Sequence, residues 1–231
     1  MGENYKEKVN IVKDLMVDAI IELSKETPKG NKKALKLLNK YLAMKEVLTA
    51  GEIAVAHFFK GEAYLKQNYL QDAKGEIEIA IKTDPTLNHQ EVFVVTAWQS
   101  LADISERGGK YSDSINYHQK AIDNLLIMVD PEQAKRFIAI TYLEFAQLFM
   151  RNQAIENSYI NCMKYVELSI ESDPEFPDCH FFLGAIYADK GNPPKAVYHL
   201  EQYIKLVSHD DPQHRSSIEN AEKILKNLRN V

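Results

Sequence analysis

The sequence predicts an all-α fold in which helical hairpins follow one another along the chain. The 231 residues are 45% hydrophobic with only 9 glycines and 8 prolines, and no β-branched runs lie between turn residues to indicate strands. The dipeptide Asp-Pro occurs four times, at intervals of 46, 43 and 38 residues. The stretch HFFKGEAY at 57–64 returns as HFFLGAIY at 180–187, which indicates an internal repeat.

The Asp-Pro dipeptides and the polar breaks between them predict the helix ends. Proline disfavours helical geometry in the residue before it, Asp is a good N-cap, and Pro suits the first helical turn. We therefore expect one helix to end and the next to begin at each dipeptide. Short polar breaks such as KQNY and RGGKY divide each interval again. The predicted helices are 3–26, 31–48, 52–67, 70–83, 89–107, 111–129, 131–151, 154–172, 176–190, 193–208 and 213–229.

Ten of these helices pair into hairpins, and the eleventh is left over. The leftover helix 213–229 has one apolar stripe, which predicts that it caps the open end of the last hairpin. The first helix has an apolar face wide enough to suggest contacts on two sides. We expect a single domain over residues 1–231, with hairpins at 3–48, 52–83, 89–129, 131–172 and 176–208.

Small and large residues recur in the second hairpin at a spacing with a steric reason. Small residues let paired helices approach closely, and larger ones fill the remaining gaps. Counted from Gly61, the positions +3, +12, +16, +19 and +24 hold Tyr64, Ala73, Ile77, Ala80 and Pro85. This spacing resembles the tetratricopeptide repeat (TPR), W-x2-L-G-x2-Y followed by A-x3-F, an Ala and a Pro.

The resemblance is strongest over residues 54–85 and 177–203, and it implies a right-handed α-solenoid of about five TPR-like hairpins plus a capping helix. The first conserved Ala position of the repeat recurs at intervals of 39, 41, 48 and 34 residues. Three of these four intervals are longer than the 34-residue standard, and in this the chain resembles long-helix members of the family such as kinesin light chain or the bacterial peptide-sensing regulators. The fourth unit matches only after four extra residues before its second helix.

Charge and motifs narrow the functional classes. The formal net charge is −5, and the 28 basic residues are scattered among 33 acidic ones, so we expect neither nucleic acid nor a lipid surface as partner. Two cysteines without C-x-x-C spacing fit a reduced, cytoplasmic protein. The N-terminus has the pattern of neither a signal peptide nor a membrane span.

The sequence contains no recognisable catalytic motif. No nucleophile elbow, phosphate loop, H-E-x-x-H motif or Cys-His-Asp order is present, so we expect no enzyme activity and no cofactor. The segment HDDPQH at 209–214 could in principle bind a metal, but helix-end capping explains it better. We therefore expect no metal site.

By the resemblance, the paired phenylalanines of the repeated stretch face the concave surface of the solenoid. Either each pair packs against the neighbouring repeat, or some rings line a groove for a partner segment. His57 and His180 take the place of the family's Trp, and we expect them inside the hairpin with one hydrogen bond each. Lys60 replaces the expected Leu beside Gly61, so either its stem extends past the neighbouring helix or the helix is rotated.

The resemblance implies a partner-binding groove with a mixed, acidic-leaning lining. Its predicted residues are Val55, Phe58, Phe59, Glu62, Lys66, Gln99, Asp103, Glu106, Arg107, Glu144, Gln147, Arg151, Asp178, Phe181, Phe182 and Asp189. The positions of the family's Lys/Asn carboxylate clamp hold Phe, Gln or Leu, so a segment with apolar anchors and basic flanks suits the groove better than a carboxy-terminal tail. We expect a non-catalytic protein-binding scaffold; a peptide-sensing signalling regulator and an envelope-assembly subunit stay open.

Overall fold

The computed structural model describes residues 2–128, 130–207 and 214–229, and within them it is all-helical, with no strand. The predicted fold class is confirmed. The described helices are α1 (Gly2–Ser24), α2 (Pro28–Leu42), α3 (Ala50–Leu65), α4 (Leu70–Thr83), α5 (Glu91–Arg107), α6 (Tyr111–Met128), α7 (Pro131–Arg151), α8 (Ser158–Ser172), α9 (Pro177–Asp189), α10 (Pro193–Leu206) and α11 (Arg215–Arg229). None of these helices is both long and apolar enough to cross a membrane.

Helices that follow one another in the chain pack as the five predicted hairpins, α1/α2, α3/α4, α5/α6, α7/α8 and α9/α10. The chain divides into two compact units, unit 1 over residues 1–129 and unit 2 over residues 130–231. Unit 1 therefore holds the first three hairpins, and unit 2 holds the last two and α11. A single domain over 1–231 stays a prediction.

The start of α2 shows a capping signal that the sequence prediction missed. The Thr27 side chain accepts a hydrogen bond from the Gly30 N–H at 3.0 Å, and Pro28 occupies the first turn. A Cβ at Gly30 would lie 2.5 Å from the Glu22 carbonyl oxygen, so only glycine allows α1 and α2 to approach this closely. The helix begins at residue 28 rather than 31, as Pro at this position favours.

The predicted helix 31–48 is also wrong at its C-terminal end. α2 ends at Leu42, and a short 3-10 turn follows over Lys45–Val47. A capping box then starts α3, because the Thr49 hydroxyl accepts from the Glu52 N–H at 3.2 Å while the Glu52 carboxylate accepts from the Thr49 N–H at 2.8 Å. The reciprocal bonds at Thr49 set the start of the second hairpin.

The Asp-Pro dipeptides end helices, but only one of the described ones starts the next helix. Pro131 begins α7, with the Asp130 carboxylate accepting from the Glu132 N–H at 2.9 Å. Asp84 and Asp173 instead lie after the last residues of α4 and α8, where their carboxylates accept backbone N–H groups of the following turn. A helix therefore does not begin at these two dipeptides themselves; α5 and α9 begin at Glu91 and Pro177, close to the predicted 89 and 176.

The packing code of the repeat is confirmed at both glycines of the repeated stretch. A Cβ at Gly61 would overlap the side chain of Ile77, and one at Gly184 would lie 2.6 Å from Leu200 Cγ. Ile77 and Leu200 are fully buried, so the absence of a Cβ on the first helix is what lets the second helix pack against it.

In unit 2 the start of α8 differs from the prediction, whereas the capping helix agrees with it. The four extra residues of the fourth unit lie in the connection between α7 and α8, so α8 begins at Ser158 and not at 154. The capping helix is confirmed, because α11 packs on α10 and joins one apolar cluster with it. The buried residues of that cluster are Leu200, Tyr203, Val207, Ile218, Ala221 and Leu225.

Candidate functional site

Unit 1 contains a pocket lined by the first helices of its three hairpins. Its volume is about 250 Å³. We call it the aromatic pocket. It is lined by Leu23 and Ser24 of α1, by Phe58, Phe59, Glu62 and Lys66 of α3, and by Val92, Phe93 and Thr96 of α5.

Three phenylalanine rings in the lining of the aromatic pocket pack against one another. The centroids of Phe58 and Phe93 are 5.3 Å apart in a stacked arrangement, and Phe59 meets Phe93 edge-on at the same distance. Both geometries are favourable for aromatic pairs. Phe58 is only 3% exposed and belongs to the core of α3, α4 and α5, whereas Phe59 and Phe93 are half-buried.

The two rings of the repeated stretch thus take different roles. Phe58 packs against the neighbouring hairpin, so the packing alternative describes this ring. Phe59 packs on the core too, but its partly exposed ring also lines the aromatic pocket. Successive helical residues are about 100° apart around the axis, which explains the difference.

Glu62 provides a half-buried carboxylate at the pocket. Its Oε1 accepts a hydrogen bond from the Ser100 hydroxyl of α5 at 2.7 Å. Burial raises the pKa of Glu62, and the Ser100 hydrogen bond and the charge of Lys66 oppose that shift. Lys66 itself forms an ion pair with Glu26 at 2.9 Å. The carboxylate therefore lies at a pocket of aromatic rings, and its hydrogen-bond partner there is a neutral hydroxyl.

The other predicted groove residues of unit 1 lie elsewhere. Val55 is half-buried against the same core as Phe58. Asp103 and Arg107 form an ion pair along α5, with Arg107 Nη2 2.8 Å from Asp103 Oδ2. Gln99 and Glu106 are half-buried on α5 and do not line the pocket. The structure brings together four of the nine residues predicted in this unit.

The predicted residues of unit 2 divide between α7 and α9. On α7, Glu144 and Gln147 are half-buried and Arg151 is exposed. Burial raises the pKa of Glu144, and the charge of Arg151 opposes that shift. On α9, Phe181 joins the apolar cluster with its centroid 5.1 Å from that of Tyr203.

The remaining α9 residues are more open. Phe182 is half-buried, while Asp178 and Asp189 are exposed. Asp189 lies near Lys190, with 3.8 Å between carboxylate and ammonium. Their role in binding stays a prediction.

The sequence prediction missed five lining residues of the aromatic pocket, three of them at the start of α5. The hydrogen-bond partner of Glu62 on α5 is Ser100, which lies three residues before the predicted groove residue Asp103. Val92 and Phe93, at the start of α5, lie beside the rings of α3. Val92 is 56% exposed. Its apolar side chain in the first turn of the predicted helix was the sequence signal that could have identified it as a lining residue.

His57 and Lys60 converge on one carboxylate inside the second hairpin. Glu76 of α4 lies 2.6 Å from His57 Nδ1 and 2.6 Å from Lys60 Nζ, and all three side chains are less than 20% exposed. Burial raises the pKa of Glu76, but the hydrogen bonds from His57 and Lys60 outweigh it, and the net shift is downward. The Lys60 stem therefore reaches an ion pair within the hairpin.

His180 is buried and hydrogen-bonded at both ring nitrogens, one more than expected. Its Nε2 lies 3.1 Å from the Pro174 carbonyl oxygen, which can only accept, so that nitrogen carries the proton. Its Nδ1 lies 3.2 Å from His199 Nδ1 of α10. Burial, reinforced by the charges of His180 and Lys195, lowers the pKa of His199 to about 4.

The described residues offer little other chemistry. No group of three or more His, Cys, Asp or Glu side chains among them is arranged to hold a metal ion. The segment 209–214 lies outside the described residues except for His214. Cys162 and Cys179 are buried free thiols, and burial raises their pKa values to about 11 and about 12.

Comparisons with known proteins identify the fold. No protein-family profile matches the sequence, and no curated protein matches it significantly. Among solved structures, an assembly chaperone of RpL4 (Acl4) is 16% identical with a TM-score of 0.68, covering 94% of this chain and 84% of that one. YrrB, described as a TPR protein with an unusual peptide-binding site, is 17% identical with a TM-score of 0.56, covering 96% and 100%.

A third match is TTC0263, a TPR protein of Thermus thermophilus, at 13% identity and a TM-score of 0.53, covering 93% of this chain and 99% of that one. Identities this low establish architecture and nothing finer. Together with the hairpins and the glycine packing, they show that the chain has the fold of the tetratricopeptide repeat proteins.

Proposed function

We propose that this protein is a non-catalytic scaffold that holds a segment of a partner protein, with the aromatic pocket of unit 1 as the site of an apolar anchor residue. The observation that carries the proposal is the convergence of three first helices on one partly open cluster of phenylalanine rings. Aromatic side chains left partly exposed in a concave site are typical anchors for protein segments. YrrB, with the same fold, is described as having a peptide-binding site.

The size of the aromatic pocket favours a side chain over a small molecule. Its volume of about 250 Å³ is below the range of about 300–1,000 Å³ typical of small-molecule sites. One buried apolar side chain contributes about 1.5–3 kcal/mol, and micromolar affinity requires about −8 kcal/mol. The anchor therefore supplies part of the affinity, and the flanks of the bound segment supply the rest.

The charge at the pocket favours a basic flank. Glu62 is half-buried, and its hydrogen-bond partner Ser100 is neutral. The acids Glu26 and Asp103 are already paired with Lys66 and Arg107. A Lys or Arg beside the anchor residue would complement the Glu62 carboxylate and lower its pKa towards the ordinary value.

The test is selection of peptides from a random displayed library on the purified protein, followed by affinity measurement with labelled peptides. We expect enriched sequences to share an apolar or aromatic residue next to Lys or Arg. Phe59→Ala should weaken their binding about 10- to 150-fold, which corresponds to a loss of about 1.5–3 kcal/mol. Glu62→Gln should weaken only peptides with a basic flank.

Two further variants separate binding from folding. Val92 is more than half exposed, so Val92→Arg should leave the fold intact while it blocks the pocket and repels a basic flank. Tyr198→Ala removes an exposed aromatic ring in unit 2 and should bind like the wild type. Unchanged binding by Phe59→Ala and Val92→Arg would place the site elsewhere and refute the proposal.

A further inference from the structure

The second helix of the first hairpin concentrates positive charge on one face. α2 contains five lysines and no acidic residue. Their spacing of three and four residues places them on one side of the helix. We call this the lysine face, and it consists of Lys29, Lys32, Lys33, Lys36 and Lys40, all exposed. The expectation that basic residues are scattered along the chain is wrong for α2.

Little within the protein neutralises the lysine face. Lys33 forms an ion pair at 2.5 Å with Glu22, and Lys25 shares the same carboxylate. For the other four lysines of the face, the described part of the chain contains no carboxylate oxygen within 4.0 Å of the ammonium. All but Lys40, together with Pro28, line an open recess of about 530 Å³.

The arrangement is unfavourable for the isolated helix. Like charges three or four residues apart on a helix repel each other, and five such pairs occur within the lysine face. Positive charge near a helix N-terminus also opposes the helix dipole, and no acidic residue lies in the first turn of α2. A bound anion would relieve both effects.

We propose that the lysine face binds a short acidic segment of a partner protein. Lys29 and Lys40 are separated by about 16 Å along the helix axis at about 1.5 Å per residue, so the face matches a segment of a few carboxylates. Residues 25–45 hold seven lysines and one glutamate, a net +6, in a chain of net −5, so the rest of the chain is −11. That surrounding charge repels a long polyanion or an anionic membrane, which would extend beyond the lysine face.

The residue types also favour carboxylates. The lysine face contains no arginine to form the planar fork that binds phosphate in two places, and no aromatic ring on which a base could stack. It shares no residue with the aromatic pocket. The proposal therefore goes beyond the scaffold function, because it assigns a second, independent binding surface to unit 1.

The test measures fluorescence anisotropy of a labelled octaglutamate peptide with the full chain. The variant K29Q/K32Q/K36Q/K40Q should lose at least about tenfold in affinity. It should unfold at the same temperature as the wild type or higher, because the substitutions remove repulsion. The matched control is K13Q/K82Q/K110Q/K223Q, four exposed lysines elsewhere, which changes net charge equally and should retain binding.

The probes are compared at low salt, about 0.05 M, and at about 0.5 M, where screening should weaken a surface interaction of this kind. Equal losses in the two quadruple variants would show a nonspecific charge effect and overturn the proposal. Tighter binding of a single-stranded oligonucleotide, or of phosphatidylserine vesicles, than of octaglutamate would also overturn it, in favour of nucleic acid or membrane.

Discussion

Two glycines of the same hairpin should respond in opposite directions when they are replaced by alanine. Gly61 lies on α3 and Gly75 in the interior of α4. A Cβ at Gly75 meets no atom within 4 Å, whereas a Cβ at Gly61 overlaps the side chain of Ile77. Comparing the two variants separates the effect of helix propensity, which applies at both positions, from the effect of packing, which applies only at Gly61.

The magnitudes follow from these two environments. Alanine stabilises a helix interior by about 0.5–1 kcal/mol relative to glycine, and Gly75→Ala should gain that amount. At Gly61 the same gain is offset by an overpacking cost of about 1–3 kcal/mol, because the new methyl group would overlap Ile77, which is fully buried. The two variants should therefore differ by about 1–3 kcal/mol in the free energy of unfolding.

The assay is urea unfolding followed by circular dichroism at the helical band, with thermal melts as a second readout. For a chain of this size, 1 kcal/mol corresponds to about 2–4 °C in Tm, so the melts should differ by about 2–12 °C. A Gly61→Ala protein as stable as Gly75→Ala would refute the packing argument. It would mean that α3 and α4 can separate without cost.

A double-mutant cycle identifies the contact responsible. Ile77→Ala alone should cost about 2–5 kcal/mol through the cavity it leaves. In Gly61→Ala/Ile77→Ala the new methyl group partly fills that cavity, so the double variant should cost less than the sum of the two single variants by about 1 kcal/mol or more. Additive costs would show that Gly61 is constrained by something other than Ile77.

Three further predictions concern unit 2. The pKa of His199 is about 4 in the folded chain and about 6.5 in the unfolded one. The stability that neutral His199 contributes is therefore complete above about pH 6.5 and is lost as the pH falls towards 4. His199→Gln should flatten this pH dependence in denaturation curves measured across that range. Cys162 and Cys179, both buried with raised pKa values, should react with a thiol reagent only after denaturation, and rapid labelling of the native protein would contradict their burial. Leu225→Asp puts a charge into the apolar cluster under α11 and should lower Tm and promote self-association seen by light scattering, whereas Glu222→Gln on the exposed side of the same helix should do neither.

The fold was predictable because its signals are local and repeated. Gly61 and Gly184 carry the same steric requirement at corresponding positions, and each is met by a buried residue sixteen positions later, Ile77 and Leu200. Because the same spacing recurs in several units, the pattern can be recognised even where one unit matches weakly. Helix ends were less predictable where capping depended on reciprocal side-chain bonds, as at Thr49.

The candidate site was only partly predictable, because it depends on which residues of neighbouring hairpins meet. The repeat alignment places Phe58, Phe59 and Glu62 of α3 together in the predicted groove, although Phe58 lies in the core, and it does not determine which residues of α5 meet them. That is decided by the packing of three rings, in which Phe93 contacts both Phe58 and Phe59. The lysine face was missed for another reason: charge counted over the whole chain conceals a cluster on a single helix.

The repeated His-Phe-Phe shows how one packing code can also leave a partly exposed ring beside a pocket. In each copy the first phenylalanine is used by the architecture: Phe58 joins the core next to α5, and Phe181 packs with Tyr203 in the cluster that α11 covers. Of these first rings, Phe58 is buried and Phe181 is half-buried. The second ring, one residue on and about 100° around the helix, is half-buried in both copies. Whether it contributes to a site then depends on the neighbouring helix, and in unit 1 Phe93 and Val92 of α5 complete the pocket around Phe59. The repeat therefore leaves a half-buried ring at the same position of both hairpins, and in unit 1 the residues of α5 that are not repeated complete the pocket beside it.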